Sequence, residues 1–129
     1  MADSGRSWQP VMLPADVPRP VGPYTPAVRA GDLIFVSGQV GWNPETGEFE
    51  TDDFAAQTAQ ALTNVATVLR AGGADTAQLV RMTWYVTDRD AYLAARSAIG
   101  NRRFSAWVSG VPAPSPHRLR FSRHRLYIN

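Results

Sequence analysis

The sequence predicts an α+β domain, a mixed sheet with two helices packed on one of its faces, and three observations predict it. Apolar and polar residues alternate with a period of two from Leu33 to Val40. The period changes to that of a helix after Thr51, and Phe54, Thr58, Ala61, Leu62, Val65 and Leu69 fall on one side. Alternation then returns over Leu79–Val86, with Val80, Met82, Trp84 and Val86 as its apolar face. Period two marks a half-buried strand and period 3.6 an amphipathic helix, and runs of both kinds in one short chain pack as a sheet covered by helices.

The first twenty residues carry Pro10, Pro14, Pro18 and Pro20, which forbid regular helix, although "VMLP" (11–14) suits a short edge strand. Gly22-Pro23 and Thr25-Pro26 are turn signals. Ala27 to Ala30 reads as a strand joined by a tight turn at Gly31-Asp32 to the run from Leu33, which makes a hairpin. In that run Leu33, Phe35, Ser37 and Gln39 point one way and Ile34, Val36 and Val40 the other. "NPETGE" (43–48) is a second turn.

For the long helix, Thr51 or Asp52 is placed to cap the first amides, Asp53 complements the helix dipole, and Gly72-Gly73 stops it. Asp88 caps a second helix with Tyr92, Leu93 and Ile99 on one side. Trp84 and Tyr85, adjacent in a strand, face opposite ways. There is no internal repeat.

The chain has 129 residues, enough for one domain with one core. We read it as a single domain, with an irregular segment over 1–20 and an atypical Arg-rich tail over 101–129. All 13 basic residues are Arg. Residues 1–100 hold seven of them against eleven acids, net −4; residues 101–129 hold six and no acid, net +6. The overall charge of +2 is thus the sum of two opposed parts and says little about the body. Without cysteine, disulfides, thiolate catalysis and Cys-based zinc sites are excluded. His117 and His124 lack the spacing of a helical metal pair, so no metal is expected. Neither a signal peptide nor an apolar run of membrane-spanning length is visible, and a cytoplasmic location is the expectation.

"GPYTPAVRAGDLIFVSGQVGWNPETGEF", "AAQTAQALTNVATVLRAGGA" and "RMTWYVTDRDAYLAA" resemble the reactive-intermediate deaminase family, also called RidA/YjgF. Its G-P-Y-S/T-x-A, V-S-G-Q, P-x-T-G, Q-T-x-x-x-L-x-N and x-V-x-V-x-x-x-D elements occur in order between about residues 21 and 95. No one of these is specific; five in register are. The resemblance implies a chorismate-mutase-like fold, a single mixed sheet with two helices on one face. It implies a homotrimer with small-molecule sites in the clefts between subunits, and hydrolysis of 2-imino or enamine acids to 2-keto acids and ammonia without metal or organic cofactor. An imino or keto acid is then the expected partner; a membrane is not expected, nor a nucleic acid.

Carried over residue by residue, Tyr24 lines the cleft, and Ser37, Gly38 and Gln39 contact substrate or, as readily, hold an internal hydrogen bond or bulge. Arg118, in "VPAPSPHR", is the candidate carboxylate fork, a task that suits guanidinium geometry. Gln57 and Asn64 match the family and are read as packing or trimer-surface residues, and Arg96 as solvated.

The resemblance is read as ending after Gly100, where the family's closing strand and its Glu are not found. Three readings of the tail stand side by side: a basic arm with interleaved aromatics that binds RNA, a divergent cleft wall, or a stretch read out of frame from GC-rich coding DNA. The abrupt charge reversal favours the last. A chain without the Glu could equally be a non-catalytic, small-molecule-binding trimer.

Overall fold

The computed structural model describes residues 5–17, 25–99 and 126–128. The elements run β1 (Gln9–Val11), β2 (Ala27–Ala30), β3 (Leu33–Val36), α1 (Phe54–Ala71), a single 3₁₀ turn (Thr76–Gln78), β4 (Trp84–Val86), α2 (Arg89–Ile99) and β5 (Leu126–Ile128). The α+β class stands. Among the described residues the strand pairings are antiparallel, β1–β2–β3 and β4–β5.

The hairpin forms as its turn chemistry dictates. Ala30 pairs with Leu33, and Gly31 between them takes φ 58°, the left-handed conformation that glycine adopts without steric cost at the first position of a two-residue loop. β1 lies at the edge of the ribbon, two residues earlier than the apolar "VMLP" indicated, because its register is set by pairing Val11 with Ala27. The second turn closes with the Asn43 and Glu48 backbones paired and Gly47 at φ 71°.

α1 buries all six residues of its predicted stripe. Its N-cap is Asp53, whose carboxylate accepts from the Ala56 amide at 2.8 Å. Thr51, one of the expected caps, instead accepts the Asp53 amide on its hydroxyl at 3.0 Å, so the helix starts one step later than read. Gly72 caps the C-terminus and Gly73, at φ 81°, turns the chain away. Arg29 of β2 donates a guanidinium proton to the Gly72 carbonyl, which places a cation where the helix dipole favours it.

One face of α1 covers both ribbons. Ile34 and Val36 of β3, and Trp84 and Val86 of β4, pack against Phe54, Ala61, Leu62, Val65 and Leu69. Val11 and Ala27 meet Val68 in a second cluster. α2 joins the same core through Ala91, Tyr92 and Ala95, and Asp88 caps it as expected, accepting from the Ala91 amide at 2.9 Å.

Two expectations are corrected here. The strand read over Leu79–Val86 is only Trp84–Val86, and Val80 is 82% exposed rather than on the apolar face. Asp75 and Gln78 form a capping box around the 3₁₀ turn, which spends the backbone leading into Val80 on a turn instead of a ladder. Leu93 is exposed and Ala91 and Ala95 point inward with Tyr92: on so short a helix Tyr92 fixes the rotation, and small residues let α2 approach. A face for Ile99 lies outside the described side chains.

Candidate functional site

β3 delivers the V-S-G-Q element at its end. The Ser37 amide donates to the Pro26 carbonyl at 2.9 Å, and the Ser37 hydroxyl donates to the Thr25 carbonyl at 2.5 Å. Gln39 is 5% exposed and its Nε2 donates to the Ser37 carbonyl at 3.0 Å. The peptide and the side chain of Ser37 are therefore held from three directions, two of them from the segment that directly follows Tyr24. Gly38 is half-buried between Ser37 and Gln39. Tyr24 and Arg118 lie outside the described residues.

The continuation of this segment is clamped by the polar edge of α1. Asn64 Nδ2 donates to the carbonyls of Val40 at 3.0 Å and Trp42 at 3.1 Å, while its Oδ1 accepts from Gln60 at 2.9 Å. Gln57 Nε2 donates to the Thr51 carbonyl at 2.8 Å. Among the described residues no buried side-chain nitrogen or oxygen lacks a partner, and an unpaired one would cost about 1–3 kcal/mol. Of the two roles read for Gln57 and Asn64, packing is the one these bonds describe. Gly41, which sequence reasoning passed over, sits between the two clamped carbonyls against the α1 backbone. Its only sequence signal was a glycine just past a strand, where close backbone approach is the usual reason.

A cleft of about 240 Å³ opens beside this segment, walled by Leu13, Val17, Trp42 and Val68 with the amides of Gln39 and Asn64. Among the described residues that line it, Asp16 is the charged one, and Ser37 and Gly38 are not among them. Trp84 faces the core and Tyr85, on the opposite side of β4, is half-buried. Arg96 is exposed, as read. Among the described residues, no three His, Asp or Glu side chains are grouped to hold a metal ion, and no helix is long and apolar enough to cross a membrane.

Comparison with known proteins places this geometry. The family described as endoribonuclease L-PSP matches residues 15–116. The match passes Gly100, where the motifs were read as ending, and β5 lies beside β4 although no alternating strand was legible in the tail. A ladder of three residues needs backbone partners more than a side-chain pattern. The chain is 35% identical over 112 residues to the chloroplastic Reactive Intermediate Deaminase A of Arabidopsis thaliana, covering 87% of this chain and 56% of that one. It is 35% identical over 78 residues to the 2-iminobutanoate/2-iminopropanoate deaminase of Bos taurus, covering 60% and 57%. The chain thus spans less than two thirds of the length of the curated relatives it matches. The crystal structure of the YjgF gene product of E. coli superposes with a TM-score of 0.75 at 30% identity, over 93% of this chain and 94% of that one. A family match over most of the chain, joined to the same fold, shows that this protein belongs to the endoribonuclease L-PSP family, the RidA/YjgF proteins.

Proposed function

We propose that the protein hydrolyses 2-imino acids, or their enamine tautomers, to 2-keto acids and ammonia, in clefts between the subunits of a homotrimer. The observation that carries this reading is the three-way anchoring of Ser37 beside the segment that follows Tyr24. It ties the V-S-G-Q element to Thr25 and Pro26, the residues that follow Tyr24 in the sequence. Two of the relatives bear the names Reactive Intermediate Deaminase A and 2-iminobutanoate/2-iminopropanoate deaminase.

The chemistry asks little of the protein. A protonated imine carbon is already electrophilic; water adds to it, the C–N bond breaks, and C=NH₂⁺ plus H₂O becomes C=O plus NH₄⁺. Orientation of substrate and water is then the main contribution. In this reading Arg118 forks the carboxylate, and Tyr24, Ser37 and Gly38 shape the cleft. The sheet face turned away from α1 supports the trimer. Phe35 and Leu33 are 57% and 54% exposed there, opposite Val28 and Ala30 in register, an apolar surface of the kind that associates.

A second reading has one observation in its favour. Residues 101–129 hold no Asp or Glu, so a carboxylate for handling water would have to come from elsewhere, and a trimer that only binds keto or imino acids fits that composition. Ammonia release from 2-iminobutanoate generated in the cuvette separates the two, read beside calorimetric titration with 2-oxobutanoate. Acceleration over the protein-free rate supports hydrolysis. Binding without acceleration supports the second reading, and neither effect refutes both.

A further inference from the structure

We propose that the cleft between the N-terminal segment and α1 is a binding site in its own right, and that it takes a small apolar amine in its ammonium form. The hydrocarbon body lies against Leu13, Val17, Trp42 and Val68, and the charged nitrogen sits at Asp16. Leu13 and Val68 pack in one cluster with Val11 and Ala27, so this wall is part of the core and stands before any ligand arrives. The volume of about 240 Å³ exceeds the roughly 150 Å³ that holds benzene and falls short of the roughly 300–1,000 Å³ of drug-sized ligands. A body of about five to eight carbons suits it.

The polar atoms of the cleft set the charge of the ligand. Asn64 has nothing to offer: its Nδ2 hydrogens go to the Val40 and Trp42 carbonyls, and its Oδ1 is taken by Gln60. Thr67 gives its proton to the Thr63 carbonyl at 3.0 Å, which leaves its oxygen as an acceptor. Gln39 Nε2 holds the Ser37 carbonyl, while its Oε1 has no partner among the described residues. No buried side-chain oxygen goes unpaired there, so Oε1 is open. On a side chain 5% exposed that lines the cleft, the opening is the cleft itself. The Pro14–Val17 turn is closed by the Val17 amide on the Pro14 carbonyl at 3.0 Å, and it sets the exposed Asp16 at the rim. Neutral acceptors inside and a carboxylate at the mouth select a positively charged donor, and a primary ammonium carries three N–H groups and no acceptor. The site stands apart from Ser37 and Gly38 and does not depend on imine hydrolysis.

The test uses the full chain and three probes with one branched body: 3-methylbutylamine, 3-methylbutanol and 3-methylbutanoate. In titration calorimetry at low salt the amine is expected to bind with a Kd on the order of millimolar, the alcohol more weakly and the carboxylate least. The Trp42 indole N–H signal, assigned with Trp42→Phe, should shift as the amine is added. Asp16→Asn, a change at an exposed position, should weaken the amine about three- to fivefold, the size of an exposed ion pair, and leave the alcohol unchanged; added salt should shrink that difference. Thr67→Phe fills the cleft from α1 and should remove binding of amine and alcohol alike, with the melting temperature reporting that the variant is folded. Binding of the alcohol or the carboxylate as tight as that of the amine overturns the proposal, as does an Asp16→Asn variant that weakens all three probes equally. Amine binding that leaves the Trp42 signal in place puts the ligand elsewhere and overturns it too, and so does a wild type that binds none of the three at tens of millimolar.

Discussion

Gly41 lies so close to Gln57 of α1 that a methyl group on its Cα would stand 2.4 Å from the Gln57 carbonyl oxygen and 2.7 Å from its Cα. The obstructing atoms are helix backbone and cannot rotate aside. Gly41→Ala must therefore lift the 40–42 segment off the helix, stretching both bonds from Asn64. Overpacking of this kind costs about 1–3 kcal/mol, and the loss should sit at the upper end, read as a fall in the urea midpoint.

Asn64 holds the same segment by chemistry rather than by fit. Its Nδ2 faces two carbonyls, so the sign of the partner matters more than its shape. Asn64→Ala leaves two buried acceptors short of a donor and should cost about 2–3 kcal/mol. Asn64→Asp is isosteric but sets a carboxylate against those carbonyls, and at neutral pH it should cost more than the alanine. In a double-mutant cycle with Gly41→Ala the losses should fall short of additive, because both changes release one segment. Equal effects of Ala and Asp in denaturant titrations would contradict this account.

These contacts show what was legible in the residues alone and what was not. The α1 stripe from Phe54 to Leu69, the Gly31 turn and the Asp88 cap were all readable, because each follows from a local rule: periodicity, a left-handed φ, a side chain that reaches its own helix. Val80 was misread because alternation does not distinguish a strand from a polar-apolar loop, and the Asp75–Gln78 capping box that decides it spans a single turn. In the site, the V-S-G-Q and Tyr24 segments were recognisable as motifs. The roles of Ser37 and Gln39 within them were not, since their partners are the backbone carbonyls of Thr25, Pro26 and Ser37 itself. Any residue supplies a carbonyl, so no residue identity announces such a bond.

The outer face of the β1–β3 ribbon is expected to carry the subunit contacts. Phe35→Glu puts a charge on that face, and burying an unpaired carboxylate is prohibitive. The variant should run as a monomer in light scattering after gel filtration and lose ammonia release, because clefts shared between subunits vanish with the trimer. Val80→Glu is the control: Val80 is more exposed than Phe35 but lies in the loop before β4, and its variant should keep the wild-type mass. A monomeric wild type would remove the basis for clefts between subunits.

Tyr92 is the residue on which the second helix turns. Its ring meets Trp84 of β4 edge-on at 6.4 Å between centroids and Phe54 of α1 at 6.2 Å, so one side chain ties α2 to both its neighbours. Such pairs add about 0.5–1.5 kcal/mol each beyond the area they bury. The flanking inward residues, Ala91 and Ala95, are too small to hold the helix alone. Tyr92 is half-buried, so Tyr92→Ala should cost about 2–3 kcal/mol, below the range for a fully buried aromatic, and amide exchange should quicken along α2 before it does in α1. Leu93→Ala, one residue on and 42% exposed, should change stability by less than about 1 kcal/mol. The contrast decides between two rotations of the same helix. If Leu93→Ala were the damaging change, α2 would present the Leu93 side to the core, the orientation that the hydrophobicity of residues 92, 93 and 99 alone would favour, and the aromatic triad would not be its anchor.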